Sequence, residues 1–148
     1  MMPAPECNVA DYDVYSRNCP ARMVLDRLAD KWSLLIIGRL CNGRVRFNRL
    51  RREIDGISQK VLSQTLKKLE RDGLIARQVF ATVPVTVEYS LTELGRTLSD
   101  TIASLSSWAE THIDAVLAAQ RAYDHDAADA LSAAPSTMPG QALSVPAR

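Results

Sequence analysis

Lys60, Ser63, Gln64, Lys67 and Arg71 recur at i, i+3, i+4, i+7 and i+11, so on a helix they share one face. Their chemistry is that of recognition. An amide that donates and accepts, a hydroxyl and cationic donors can bond base edges and neutralise phosphate, and none of them makes a set for breaking covalent bonds. A solvated surface helix is the simpler reading of such a face taken alone, so its surroundings must decide. The helix that positions these residues runs from Ser58 to Gly73. Leu62, Leu66 and Leu69 fall on the opposite side and point to a core. Ser58 is placed to cap the first turn and Gly73 to end the last. About 15 residues at 1.5 Å each make a rod of about 22 Å. That suits a DNA major groove about 12 Å wide.

The other reactive residues are sparse. His112 and His125 are the only histidines, and neither stands near a cysteine pair at metal-ligand spacing. There is no glycine-rich phosphate loop, no Gly-x-Ser-x-Gly turn and no clustered acid pair. An enzyme is therefore not expected, and neither a cofactor nor a metal site is. Cys7, Cys19 and Cys41 are an odd number and form no disulfide framework in a reducing compartment.

The length of 148 residues and 47% hydrophobic content suit one domain with a tail. The net charge of +1 hides an uneven distribution. Residues 44–77 hold ten basic side chains against four acidic, a net +6, whereas residues 92–118 hold one against four, a net −3. Positive charge gathers where the rod lies, the footprint of a polyanionic partner. No apolar run is long enough to span a membrane, and the first residues do not read as a signal peptide, so a cytoplasmic protein is expected.

Residues 1–18 read as a flexible arm. Cys19-Pro20 opens a first helix with Met23, Val24, Leu25 and Leu28 as its apolar stripe. Lys31–Leu40 is apolar nearly all round and predicts a buried central helix, with Cys41 as core packing at its end. A third helix is expected over 46–54, with Phe47, Leu50 and Ile54 inward and Arg46, Arg49, Arg51 and Arg52 outward. Asp55-Gly56 turns the chain into the Ser58 cap, which makes a helix-turn-helix. After Gly73 the period changes. Residues 75–80 and 85–91 read as two strands around Pro84, a hairpin wing with Arg77 on its first strand. A long helix is expected to start at the Thr92 cap and to carry Leu94, Leu98, Ile102, Leu105, Trp108, Ile113 and Val116 in one stripe. The compact unit is already complete by then, so a second copy is expected to cover the stripe. Residues 119–148 read as a helix extension followed by a disordered tail. The expected class is mainly α with a small β-hairpin (α+β), a winged helix-turn-helix over 19–118 with a long terminal dimerisation helix.

Cys19-Pro20, Lys31-Trp32, Arg46-Phe47-Asn48-Arg49-Leu50, Ile57-Ser58-Gln59-Lys60-Val61-Leu62, Leu69-Glu70-Arg71-Asp72-Gly73-Leu74, Val87-Glu88-Tyr89-Ser90-Leu91-Thr92, Gly95 and Trp108 stand in a familiar order. The ordered set, over about residues 19–116, resembles the HxlR-type regulators. These are winged-helix transcription factors related in shape to the MarR group. The resemblance implies a homodimer paired through its first and last helices, on double-stranded DNA with a pseudo-palindromic operator. Carried over by position, Ser58, Gln59, Lys60, Ser63, Gln64 and Lys67 are the base-reading and adjacent phosphate residues. Arg46, Arg49 and Arg77 are phosphate or minor-groove residues. Glutamine can pair with adenine and lysine with guanine, whereas arginine on phosphate adds affinity without sequence information.

Some members of that family sense oxidants through the cysteine ahead of the first helix, here Cys19. The positive end of a helix favours a thiolate at that place. Cys7, or the second copy's cysteine, would be the resolving partner. The bland alternative is a small buried residue that marks the helix start. Two other functions stand against a redox-responsive repressor. One is a winged-helix docking module without DNA binding, whose recognition face should be acidic or apolar. The other is a regulator controlled by a small-molecule effector at the dimer seam, near Trp32 and Trp108.

Overall fold

The computed structural model describes residues 12–133. Six helices and three strands follow one another among them: α1 (Pro20–Leu28), α2 (Lys31–Leu40), β1 (Val45–Arg46), α3 (Phe47–Glu53), α4 (Gln59–Arg71), β2 (Ile75–Phe80), β3 (Thr86–Leu91), α5 (Glu93–Arg96) and α6 (Ser99–Ser132). The chain divides into two units, residues 1–106 and 107–148. None of the described helices is long and apolar enough to cross a membrane.

The core of the first unit gathers Ile36, Ile37 and Leu40 of α2, Leu50 of α3, Leu62, Leu66 and Leu69 of α4, and Ile75, Tyr89 and Leu91 of the sheet. Full burial of each aliphatic side chain contributes about 1.5–3 kcal/mol, which is why helical period locates these elements so well. Asp30 caps α2 by accepting from the Trp32 amide at 3.2 Å. On α2 the burial is one-sided: Leu35 is half exposed, and Cys41, expected in the core, is exposed. Leu40 takes the last inward place, and the next residue is carried about 100° round the helix axis. The Cys41 thiol donates to the Ile37 carbonyl at 3.2 Å.

The β structure differs from the expected hairpin by one strand. Its order is β1-β3-β2, antiparallel throughout. β1 is only Val45–Arg46, paired with Tyr89 and Glu88, so Arg46 belongs to a strand and precedes α3. Two residues are too few to show a period of two. The second wing strand begins at Thr86.

The long helix does not start at Thr92. Thr92 caps the four-residue α5, accepting from the Gly95 amide at 3.0 Å. The backbone then tightens. Thr97 bonds back to the Leu94 carbonyl and Leu98 to that of Gly95, three residues apart instead of four, before Ile102 resumes the α-helical bond to Leu98. Gly95 packs against the backbone of Leu74, which fixes the corner. In the second unit, α6 continues to Ser132 and every residue from Ser107 to Ser132 is exposed.

Candidate nucleic-acid interface

Helix α4 is closed at both ends by its own sequence. The Ser58 hydroxyl accepts from the Val61 amide at 3.1 Å. At the other end Gly73 has a φ of +76°, a conformation that suits glycine. Its amide bonds the Glu70 carbonyl and the Leu74 amide bonds that of Leu69, each at 3.0 Å. This pair of bonds satisfies carbonyls that the helix end would otherwise orphan. Leu62, Leu66 and Leu69 are buried, and so is Thr65, whose hydroxyl donates to the Val61 carbonyl at 2.8 Å. Arg27 of α1 holds Asp72 at 2.7 Å and ties the first helix to the end of α4.

With the inner face anchored, Ser58, Gln59, Lys60, Gln64, Lys67 and Arg71 are exposed and Ser63 is half-buried. Among the described residues neither Lys60 nor Lys67 is in an ion pair. The helix therefore presents hydrogen-bonding groups together with two lysines that no described carboxylate neutralises.

Arg46, Arg49 and Arg77 come from β1, α3 and β2, and one cleft joins them. It encloses about 860 Å³ between α3, the sheet and the wing loop, and its lining includes Arg44, Arg46, Arg49, Arg52 and Arg77 with a single carboxylate, Glu88. Glu88 stands opposite Arg46 across one ladder and opposite Gln78 across the other. Arg46 Nε donates to it at 3.4 Å, and Arg44 lies 3.9 Å away while donating to the Gln78 side-chain oxygen at 3.4 Å. On α3, Arg49 donates to Glu53 at 2.8 Å, and Arg39 of α2 grips the same carboxylate. Hydrogen bonds from Arg39 and then Arg49 pull the Glu53 carboxyl down to about 2. Arg77 faces Tyr89 across the β2–β3 ladder. Burial pushes the Tyr89 hydroxyl up, and the Arg77 charge opposes that shift.

Sequence reasoning passed over Arg44, Arg52 and Glu88 as parts of this cleft. The alternation of β3 marks Glu88 as turned away from the Leu91 side, but only the pairing with β1 reveals its arginine partners. Cys19 precedes α1 in extended backbone and is half-buried, with no side-chain capping bond. Cys7 lies outside the described residues. A second cavity of about 630 Å³ lies between α2, α3 and the start of α6, with Leu35, Gly38, Ile54 and Ile102 in its lining and Cys41 at its rim; Trp32 is not part of it. The described residues contain no group of three or more His, Cys, Asp or Glu placed to hold a metal ion.

This geometry has relatives. Residues 27–116 match the HxlR-like helix-turn-helix family. The HTH-type transcriptional regulator YtfH of Escherichia coli is 42% identical over 106 residues, which cover 72% of this chain and 84% of the relative. The solved structure of the transcriptional regulator ytfH from Salmonella typhimurium superposes with a TM-score of 0.72 at 40% identity, covering 75% of this chain and 99% of that one. The redox regulator HypR in its oxidised form follows at a TM-score of 0.59 and 40% identity, over 63% of this chain and 96% of that one.

Proposed function

The chain belongs to the HxlR-like helix-turn-helix family of transcriptional regulators, and on that premise we propose that it binds a pseudo-palindromic operator as a homodimer and represses a neighbouring gene. The observation that carries this reading is the exposed face of α4. It is polar and basic, and its lysines are free of ion pairs among the described residues, whereas a docking module would present an acidic or apolar face. Ser58, Gln59, Lys60, Ser63, Gln64 and Lys67 read bases or hold the flanking phosphates. Arg46, Arg49 and Arg77 hold the backbone from the cleft beside them. Half-sites lie about one helical turn apart, or a multiple of it. Two separate observations support pairing with a second copy. Met23, Val24 and Leu25 of α1 are exposed, and so are Leu105, Trp108, Ile113 and Val116 of α6.

Binding to the DNA upstream of its own gene, followed by fluorescence anisotropy across salt, tests the reading. Lys60→Ala or Gln64→Ala should relax sequence preference, at about 1–3 kcal/mol per lost base contact. Arg46→Ala should weaken all duplexes alike and flatten the salt dependence. No sequence selectivity, either here or on a pool of random duplexes, would sink the proposal.

The similarity to a redox regulator favours one refinement. Oxidation of Cys19 by a thiol oxidant changes operator affinity, with Cys7 or the second copy's thiol resolving the oxidised sulfur. Cys19→Ser should abolish the response to diamide and leave the reduced protein's affinity intact. A variant that still responds would remove Cys19 from this role.

A further inference from the structure

One carboxylate ties α2 to the arginine cleft. Glu53, the last residue of α3, meets two guanidiniums from different elements. Arg49 Nε donates to its Oε1 at 2.8 Å, and Arg39 Nε of α2 donates to its Oε2. Each carboxylate oxygen therefore has its own arginine. Arg49 belongs to the cleft with Arg44, Arg46, Arg52 and Arg77. Arg39 does not line that cleft. It lies with Glu53 in the wall of the cavity between α2, α3 and the start of α6.

The two arginines are not equivalent. Arg49 and Glu53 stand at i and i+4 with the base first, the weaker order for a helical pair. The side chains of Arg39 and Glu53 are 27% and 29% exposed, against 58% for Arg49. The carboxylate is thus gripped from the α2 side, and Arg49 is the guanidinium that faces solvent. Arginine carries its N–H donors in a planar fork. One bond at Nε fixes the plane of Arg49 and leaves its terminal nitrogens for a phosphate, which they can hold bidentately. Charge is shared in the same way. Glu53 alone would cancel Arg49, but two bases against one acid leave the group a net +1. The bond to Glu53 also pushes the Arg39 guanidinium up, so that its charge persists.

Resting on the operator-binding reading above, we propose that Arg39 is a positioning residue for DNA, which through Glu53 aims the Arg49 guanidinium at a phosphate and spares its charge. Arg39 itself touches no DNA. Without it, Glu53 turns its whole charge on Arg49, and the phosphate contact is lost to an internal pair. Helix α2 thereby contributes to affinity for every sequence alike, because a phosphate carries no base information.

The test measures binding of the full chain to a duplex selected from random sequence and to an unrelated duplex, by anisotropy across salt. It compares the unsubstituted protein, Arg39→Gln, and Arg39→Gln combined with Glu53→Gln. Arg39→Gln should flatten the slope of log affinity against log salt by about 0.9, one phosphate contact. It should weaken both duplexes about fivefold at low salt, the scale of one surface charge contact. The double variant loses the acid as well as the base, so the charge of Arg49 is released. Its slope should return to that of the unsubstituted protein, even with a lower melting temperature. A merely structural Arg39 would lower the melting temperature of both variants and leave every slope alone, which overturns the proposal. A slope that stays flat in the double variant would put Arg39 itself on the phosphate, and overturns it too. If the unsubstituted chain selects its duplex and Arg39→Gln leaves the slope unchanged, the positioning role alone fails. If the unsubstituted chain binds neither duplex, both readings fall together.

Discussion

Glu88 faces Arg46 across one ladder and Gln78 across the other, and Arg44 stands 3.9 Å from it. It is the one carboxylate among five arginines in the cleft, so it offsets attraction for phosphate while holding two guanidiniums in place. Glu88→Gln keeps the shape and removes the charge. Affinity for all duplexes should rise about fivefold at low salt, the scale of one surface charge contact of about 1 kcal/mol, and the salt slope should steepen. Anisotropy on specific and random duplexes reads both, and an unchanged slope would put Glu88 away from the phosphates. Glu53 gives a pH signature. Its folded carboxyl sits at about 2, below the ordinary range, because Arg39 and Arg49 bond its charged form. The stabilisation is therefore complete above the unfolded value of about 4.3 and is lost as pH falls through the folded one. The melting temperature of Glu53→Gln should lie below that of the unsubstituted chain at neutral pH, with the gap closing between about pH 4.3 and pH 2. A gap that stays constant across that window would contradict the linkage.

At the scale of elements, the corner between β3 and α6 is the most constrained. A Cβ at Gly95 would lie 2.0 Å from the Leu74 carbonyl oxygen, which is backbone and cannot rotate away. Thr92 reinforces the same corner by donating to the Gly73 carbonyl at 2.6 Å. Gly95→Ala should destabilise the first unit by about 2–3 kcal/mol, as overpacking does, and denaturant midpoints should record it. In α2 the opposite change should help. Ser33 is 0% exposed, and among the described residues its hydroxyl has no hydrogen-bond partner. Ser33→Ala removes an unsatisfied polar group and improves helix propensity, so a gain of about 1 kcal/mol is expected. A loss of stability in the melting curve would show that the hydroxyl has a partner after all.

For the whole molecule, charge and apolar surface are segregated along the chain. Residues 44–77 carry a net +6, while residues 92–118 carry a net −3. A helix exposed on every side from Ser107 to Ser132 lacks the tertiary packing from which helices in proteins gain most of their stability. A second copy supplies that packing in the proposed assembly. Ile113→Glu should yield monomers by light scattering and weaken operator binding at least a hundredfold, since one half-site then binds without the other. A dimer that survives both Ile113→Glu and Trp108→Glu would place the interface elsewhere.

Wherever burial followed a helical period, sequence alone determined the outcome. Leu62, Leu66 and Leu69 had to turn inward together, so Lys60, Gln64 and Lys67 had to turn outward together. Ser58 and Gly73 had to close that helix, because local hydrogen bonds and a positive φ act within a few residues. Contacts between distant segments left no local trace. β1 is two residues long and is defined by its partner, 42 positions away for Arg46 and Glu88. Only the folded chain therefore assembled the arginine cleft around Glu88 and brought Arg39 of α2 to the Arg49–Glu53 pair that α3 forms within itself. The corner at α5 is also set at a distance: Thr92 reads locally as the start of one long helix, but Gly95 packs against the backbone of Leu74, twenty-one residues earlier.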